Sequence, residues 1–235
     1  MIEITDIEKI YRLGGETIKA LDKVTLSIKE GEFTSVMGPS GSGKSTLMNI
    51  LGLLDRFDSG KYLLNGTDVT GLSDSQLAGI RNKEIGFVFQ SFNLMARMNV
   101  VENVMLPLVY ARVPYNERKE RATEALEKVG LGDRLYHFTN EISGGQKQRV
   151  AIARAIVNRP SVLMADEPTG NLDSKTTEDI MHIFQELNEE GTTIVMVTHE
   201  PEMAAYTKRI VHFRDGKIIE DEKVTPKQLS HAEVD

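Results

Sequence analysis

The sequence predicts an α/β fold with a mainly parallel sheet, an antiparallel β part near the N-terminus and an inserted helical part. Three observations predict it. A glycine-rich loop pattern stands between a strand pattern and a helix pattern in residues 32–54. Two continuous apolar runs, residues 162–165 and 193–198, flank a helical pattern at residues 175–190, as expected for a buried parallel sheet. Between the loop and these runs, residues 100–158 have a helical pattern instead.

The N-terminal β prediction depends on alternation of apolar and polar residues. The apolar positions that repeat with a period of two are Ile2, Ile4, Val24, Leu26 and Ile28. Asn65-Gly66 and Asp215-Gly216 each separate two short strand patterns, which predicts a hairpin at each place. Residues 85–89 predict one more short strand.

The domain organisation predicted from these patterns is a single domain over residues 1–235. Residues 1–91 and 159–235 form its α/β core together with the antiparallel β part. Residues 92–158 form a helical subdomain inserted into that core. No repeat, low-complexity segment or linker divides the chain.

The composition excludes several classes of function. The chain has 235 residues, 40% of them hydrophobic, a net charge of −7 and no cysteine. The absence of cysteine excludes disulfides, zinc–thiolate sites and thiol redox chemistry. An acidic protein gains nothing from general attraction to nucleic acid, so no nucleic-acid partner is expected. The first residues lack a secretory signal pattern and no apolar run is long enough to span a bilayer, so we expect a soluble chain that meets a membrane only through a partner.

The glycine-rich loop has the pattern G-x-x-x-x-G-K-[ST] of a phosphate-binding loop. Its residues are Gly38, Pro39, Ser40, Gly41, Ser42, Gly43, Lys44, Ser45 and Thr46. Such a loop wraps backbone N–H groups around an anion and opens a helix at the same point. Lys44 is expected to pair with the β- and γ-phosphates of a nucleotide, and the Ser45 hydroxyl is expected to hold Mg²⁺.

The apolar run at residues 162–165 ends on two acidic residues, Asp166 and Glu167. Open α/β sheets bind ligands at the carboxyl ends of their strands. Asp166 is therefore a candidate for holding Mg²⁺, and Glu167 is the candidate general base for an attacking water. An Asp-Glu pair alone fits a solvated turn equally well, and the phosphate-binding loop in the same chain favours the catalytic interpretation.

A second candidate anion site lies at Ser143-Gly144-Gly145-Gln146. Ser143 is a good N-cap for a helix over residues 147–157, and free N–H groups at a helix start attract anions. An ordinary capped helix explains the same residues. One nucleotide does not need two phosphate-binding helix ends far apart in one chain, but a head-to-tail pair of chains would use both ends on each nucleotide.

Together these motifs resemble the ATP-binding-cassette ATPases, the nucleotide-binding subunits of ABC transporters, over essentially the whole chain. Residues 38–46 resemble the Walker A motif and residues 163–167 the Walker B motif with its catalytic glutamate. Residues 142–146 resemble the LSGGQ signature, with Ile142 in place of leucine. The resemblance implies a P-loop NTPase core of the RecA-like kind.

The resemblance also implies roles for four further residues. Gln90 matches the glutamine that senses Mg²⁺ and the attacking water, and His199 matches the switch histidine that contacts the γ-phosphate. Asp173 lies in the loop that contacts the partner subunit, and Tyr11 falls where the family places an aromatic ring on adenine. Taken singly, Gln90 and His199 also fit ordinary strand-end polar groups and Tyr11 a core aromatic, so only their order and spacing support these roles.

The sequences of residues 87–94 and 166–174 resemble those of the MacB/LolD-type group, which drives lipoprotein release or the export of macrolides or peptides. The resemblance implies a Mg²⁺-dependent ATPase that pairs with a second copy of itself and with an integral membrane permease at the cytoplasmic face of the membrane. Residues 92–104 carry Met95 and Met98, which together offer an adaptable surface suited to a partner helix, although each methionine taken singly fits the core equally well or better.

Other classes of function fit less well. A soluble ABC-type ATPase without a transport role remains the main alternative, although the long coiled coil of repair members and the second cassette of translation factors are both missing. A GTPase would need the guanine-binding motif N-K-x-D. Residues 82–85 match its first two positions, but Ile85 stands where the motif requires aspartate. A nucleotide sensor without turnover would not need Glu167 and His199, and a small-molecule kinase would not need Ser143-Gly144-Gly145.

Overall fold

In a computed structural model, residues 1–13 and 16–228 are described. Their strands are β1 (Ile2–Leu13), β2 (Glu16–Ile28), β3 (Phe33–Met37), β4 (Ser59–Leu64), β5 (Thr67–Asp68), β6 (Ile85–Phe89), β7 (Val162–Asp166), β8 (Thr193–Thr198), β9 (Arg209–Arg214) and β10 (Lys217–Lys223). Their α-helices are α1 (Lys44–Leu51), α2 (Asp74–Glu84), α3 (Val100–Tyr110), α4 (Tyr115–Lys128), α5 (Gly144–Ile156), α6 (Ser174–Glu189) and α7 (Pro201–Ala204).

The strands form two sheets. The first has the order β2-β1-β4-β5 and is antiparallel throughout. The second has the order β10-β9-β3-β8-β7-β6, and all its pairs are parallel except β9 with β10. The predicted combination of a mainly parallel sheet with an N-terminal antiparallel part is therefore confirmed.

The parallel sheet is buried because both of its faces are covered. Along β8, Ile194 and Met196 pack with the helices α3 to α6, whereas Val195 and Val197 pack with α1 and the antiparallel sheet. Successive strand residues point to opposite faces, so an uninterrupted apolar run is what this position requires. Full burial of each such side chain stabilises the fold by about 1.5–3 kcal/mol.

Element boundaries differ from the sequence prediction in a few places. The strand predicted from residue 32 begins at Phe33, and the helix predicted over residues 45–54 is Lys44–Leu51. The helix α2 has no counterpart among the predicted elements because Leu77 is its one buried residue. Its sequence signal was the capping box of Ser73 and Gln76, in which each side chain bonds the backbone of the other.

The inserted part of the chain contains α3, α4 and α5, which contact one another through buried apolar side chains. No helix in the described ranges 1–13 and 16–228 has both the length and the apolar character that crossing a bilayer requires.

The sheet topology gathers polar side chains at one edge. β3, β8 and β7 are parallel neighbours whose registers pair Met37 with Thr198 and Val197 with Asp166. The residues that follow these strands therefore emerge side by side at the carboxyl edge, where α/β sheets bind ligands.

Arg209 joins the two sheets on the far side from the carboxyl edge. Its guanidinium donates two hydrogen bonds to Asp221, at 2.7 and 2.6 Å, and one to Glu32 at 3.0 Å. A fourth bond, of 2.8 Å, goes to the carbonyl of Ser27 in the antiparallel sheet. The hydrogen bonds from Arg209 hold the pKa of the Asp221 carboxyl below its ordinary value.

We expect Asp221→Asn to lower the free energy of unfolding by about 1 kcal/mol at neutral pH, the upper part of the range for partly exposed ion pairs. A lowered folded-state pKa contributes stability above the ordinary Asp pKa of about 3.9, and that stability is lost as pH falls through the folded value. Denaturant unfolding across pH should therefore show the difference from the native protein narrowing in strong acid. Asp133→Asn is the control: it removes an ion pair between Asp133 and the neighbouring Arg134 that is far more exposed, and it should change stability by only a few tenths of a kcal/mol, about the lower end of that range.

Candidate functional site

A cavity of about 1090 Å³ opens at the carboxyl edge of the parallel sheet. The phosphate-binding loop forms its floor, and Glu167 and His199 line one side. Tyr11 and residues of β2 line another side. The members of the predicted loop that line it are Gly38, Pro39, Ser40, Gly41, Gly43, Lys44, Ser45 and Thr46.

The loop needs glycine where it passes closest to the antiparallel sheet. Gly43 has a φ of 105°, and a Cβ built on it would lie 2.4 Å from the carbonyl oxygen of Ala20. No residue with a side chain fits both the backbone angle and the contact. The loop can therefore curl over α1 and leave the first N–H groups of that helix open to an anion.

Lys44 lies inside the curl of the loop and is only 7% exposed. Its Nζ donates hydrogen bonds to the carbonyls of Gly38 at 2.6 Å and Pro39 at 2.9 Å. Burial lowers the pKa of the ammonium, and the nearby carboxylates of Glu167 and Asp166 oppose that shift. The result is a cation held in place before any phosphate arrives, so little ordering of its long side chain is left for binding.

Glu167 and His199 both line the cavity and contact each other. Nδ1 of His199 lies 2.8 Å from Oε1 of Glu167. The backbone N–H of Glu167 bonds the carbonyl of Val197 at 2.9 Å, which ties the end of β7 to β8. A carboxylate oriented by an imidazole next to a phosphate site is an arrangement that can take a proton from water.

Asp166 precedes Glu167 but does not itself line the cavity. Burial raises the pKa of its carboxyl, and the charge of Glu167 raises it further. The ammonium of Lys44 opposes both effects. A cation bound nearby would relieve this like-charge pair.

Tyr11 lines the cavity and is held by a small polar network. Its hydroxyl donates a 2.9 Å hydrogen bond to Oδ2 of Asp55, and the ammonium of Lys9 lies 5.1 Å from the centre of its ring. Lys9 also forms an ion pair with Asp55 at 2.9 Å. Burial raises the pKa of the Tyr11 hydroxyl, as does its bond to Asp55.

The Ser143 motif lies at a different place on the surface. Ser143 caps α5, accepting a 3.2 Å bond from the N–H of Gln146, while the Gln146 side chain accepts one from the N–H of Ser143 at 2.9 Å. Neither these residues nor Gly144 and Gly145 line the cavity of their own chain. Ser143 and Gly144 are exposed, so the start of α5 is open to a partner.

Gln90 and Asp173 also lie outside the cavity lining. The carbonyl of Gln90 accepts a 3.1 Å bond from Asn171, and its side-chain amide packs on Gly170. Asp173 caps α6 by accepting bonds from Thr176, at 3.0 Å from its N–H and 2.7 Å from its hydroxyl. Their predicted roles at the nucleotide stay predictions.

Several further residues line the cavity although no local sequence pattern predicts that they belong to the site. They come from β2, the end of β3, β9 and the turn after β9: Ile18, Lys19, Ala20, Met37, His212, Asp215 and Gly216. The turn is fixed to the loop by a 2.8 Å bond from the N–H of Gly216 to the carbonyl of Ser42. The pairing of β9 with β3, which sets His212 beside Met37, and the approach of the antiparallel sheet to the loop bring these distant segments together, and no local motif encodes that.

The donor set fits a nucleotide with Mg²⁺. The described residues contain no cluster of three or more His, Cys, Asp or Glu side chains that could hold a metal by themselves. Mg²⁺ does not need such a cluster, because it is commonly held by one or two protein oxygens together with substrate phosphates and water. The Ser45 hydroxyl and the Asp166 carboxylate supply oxygens of that kind next to the loop.

Known proteins resemble this chain over most of its length. The family model described as ABC transporter matches residues 21–170. An uncharacterized ABC transporter ATP-binding protein of Bacillus subtilis, YknY, is 58% identical over 93% of this chain and 95% of its own length. The macrolide export ATP-binding/permease protein MacB of Chlorobaculum tepidum is 50% identical over 98% of this chain, which matches 35% of MacB. A dimeric, post-hydrolysis structure of the ATP-binding cassette MJ0796 bound to ADP and Pi superposes with a TM-score of 0.88, at 45% identity over 97% of this chain and 100% of that one.

We expect Gly43→Ala to abolish binding of a fluorescent ATP analogue, because the new methyl group would push the loop off the Ala20 carbonyl. Gly66→Ala is the matched control. Gly66 also has a positive φ, of 74°, but its added Cβ would meet nothing within 4 Å. The control should lose some thermal stability and keep nucleotide binding; equal affinity in both variants would contradict the role given to Gly43.

Proposed function

The chain belongs to the ABC transporter family as the ATP-hydrolysing motor subunit of a transporter, and from this premise we propose that two copies close over ATP and drive a separate membrane permease. The single observation that carries the proposal is the separation of two anion-binding elements. The phosphate-binding loop lines the cavity, whereas the Ser143 end of α5 is exposed elsewhere on the same chain.

A head-to-tail dimer would use both elements at each nucleotide. The start of α5 offers free N–H groups and the positive end of a helix dipole, both suited to a terminal phosphate. The dimeric state of the MJ0796 cassette supports this arrangement. ATP bound between two chains would favour association by mass action, and hydrolysis would remove the bridge.

In the proposed reaction the residues divide the work. Lys44 neutralises charge on the β- and γ-phosphates. Glu167 accepts a proton from the attacking water, and His199 orients the Glu167 carboxylate. Ser45, Asp166 and Gln90 would hold Mg²⁺, which would neutralise the charge that develops on the phosphates. Tyr11 would stack on the adenine ring.

The terminal phosphate would also meet residues of the second copy. Ser143, Gly144, Gly145 and Gln146 would bind it from the opposite side. Asp173 would lie where the two copies touch.

A second cavity, of about 1120 Å³, is the proposed seat of the permease. It lies between α2, β6 and the ends of α3 and α5 and combines apolar and basic side chains: Leu54, Phe87, Phe89, Leu106, Tyr110, Arg81, Lys83 and Arg112. Asn93 is the one member contributed by residues 92–104, so the cavity borders that predicted surface rather than coinciding with it. Its chemistry suits an apolar cytoplasmic segment that carries acidic residues.

The permease would hold the subunit at the cytoplasmic face of the membrane. We propose export or release of a macrolide, lipoprotein or peptide as the transport task. The MacB relatives are named as macrolide export proteins that join an ATP-binding part and a permease in one protein, which supports the macrolide alternative.

Glu167→Gln tests the chemistry. The amide cannot accept a proton, so turnover should fall by about 100-fold or more while ATP still binds. The variant should accumulate as an ATP-bound dimer in size-exclusion chromatography. Turnover at the native rate would remove Glu167 from its role.

Ser143→Arg tests the shared site. The large cation at the exposed cap should block closure of the dimer, whereas the cavity of the same chain is untouched. In a Glu167→Gln background, Ser143→Arg should keep affinity for ATP and run as a monomer. Dimers that form as readily in this double variant as in Glu167→Gln alone would contradict the proposed sandwich.

Tyr110→Asp tests the permease seat. Tyr110 is 76% exposed and lines the second cavity, so an acidic residue there should repel an acidic segment of the permease. We expect loss of co-purification with the native membrane fraction and no change in ATP hydrolysis by the isolated subunit. Tyr136→Asp, at another exposed tyrosine outside that cavity, is the control.

A further inference from the structure

The backbone of Glu167 adopts a conformation that its sequence context opposes. Its φ is 44°, in the left-handed region that side-chain-bearing residues rarely occupy. The next residue is Pro168, and a proline restricts the residue before it to extended backbone. Such a conformation persists only where neighbouring groups hold it, and it is common at functional sites.

Three hydrogen bonds hold the backbone around this point, one of them donated by the N–H of Gly170 to the Glu167 carbonyl at 3.1 Å. The N–H of Glu167 bonds the carbonyl of Val197 at 2.9 Å, just beyond the end of β7. On the other side, the side-chain Nε2 of Gln148 donates a 2.6 Å bond to the carbonyl of Pro168. Pro168 is buried and has no N–H, so its carbonyl is the one backbone group through which a hydrogen bond can hold this residue.

Gln148 is an unusual residue for this place. It is 0% exposed, and its Oε1 has no hydrogen-bond partner within the part of the chain that the structure describes. A buried acceptor without a partner costs stability, so packing alone would favour an apolar residue of the same size. The bond that Gln148 donates to Pro168 is the compensating interaction visible at this position.

Gln148 also lies on α5, the helix that begins with the Ser143 motif. That helix touches the segment after Glu167 again near its start: a Cβ on Gly145 would lie 2.3 Å from Cγ2 of Thr176, and one on Gly144 would lie 3.7 Å from Leu172. The segment over residues 168–176 is thus in contact with α5 both at Gln148 and at the start of the helix.

We propose that Gln148 is a positioning residue for Glu167, fixing the left-handed turn so that the carboxylate points into the cavity. The proposal depends on the proposed role of Glu167 as general base. It also links the Ser143 motif to the general base Glu167. The helix that would bind one nucleotide through Ser143 holds, through Gln148, the base that acts on the other nucleotide.

The test is Gln148→Met, which keeps length and volume and removes the amide donor. A misplaced general base slows the chemical step without changing substrate binding, so kcat should fall by about 10- to 100-fold with an unchanged KM for ATP. The matched control is Gln185→Met. Gln185 is another buried glutamine, and its amide donates to the carbonyls of Tyr206 at 3.1 Å and Lys227 at 2.9 Å, outside the cavity lining. The control should keep the native kcat.

A second measurement separates positioning from damage to α5. In a Glu167→Gln background, Gln148→Met should still form the ATP-bound dimer as readily as Glu167→Gln alone. A native kcat in Gln148→Met, or a raised KM with loss of the ATP-bound dimer, would overturn the proposal. Native turnover by Glu167→Gln itself would instead overturn the proposed function, so the two failures can be told apart.

Gln148→Glu covers the case in which the methionine variant fails to fold. A protonated carboxyl can donate to the Pro168 carbonyl, whereas an ionised one cannot. The kcat of this variant, divided by the native kcat at the same pH, should therefore rise as pH falls. A ratio that stays constant with pH would contradict the proposed hydrogen bond.

Discussion

The parallel pairing of β3, β8 and β7 is the constraint on which the rest of the site depends. Its register sets Met37 beside Thr198 and Val197 beside Asp166. The phosphate-binding loop, His199 and Glu167 follow these strands directly, so the strand pairing alone places them at the same edge of the sheet. Because both faces of the sheet are buried, a slip in register would exchange side chains between two close-packed faces, and the site inherits the rigidity of the core.

Strain and burial are concentrated around this edge. Lys44 is buried as a cation, Asp166 lies next to Glu167, and Glu167 has a left-handed backbone. Each of these features costs free energy in the isolated chain. A bound nucleotide with its cation would relieve the electrostatic costs, whereas the backbone around Glu167 depends on the hydrogen bonds that it shares with Val197 and Gln148.

The geometry of a single chain also explains why one copy is incomplete. The cavity supplies a phosphate loop, a base and an aromatic ring, but no helix start faces the phosphate loop from the opposite side among the residues that line it. The capped start of α5 has those N–H groups and points them to the surface. A second copy would bring the two together, and α5 would then connect each site to the other through the turn after Glu167.

The sequence by itself determined the elements whose signal is local. The loop at residues 38–46, the acidic strand end at Asp166 and the cap at Ser143 were readable because phosphate loops, buried strands and helix caps each impose a short pattern of residue types. The mainly parallel sheet followed from apolar runs separated by a helix. The helix α2 was missed because it buries almost nothing, so its sequence lacks an apolar face.

Only the tertiary structure decided which distant segments share the cavity. The contact of Ala20 with the loop, the closure by Gly216 and the bond from Gln148 to Pro168 join residues far apart in the chain. It also decided that the Ser143 motif lies outside the cavity of its own chain. The physical reason is that a hydrogen bond between remote backbone and side-chain groups leaves no periodic or compositional trace, since many residue types satisfy it equally well before the fold fixes its geometry.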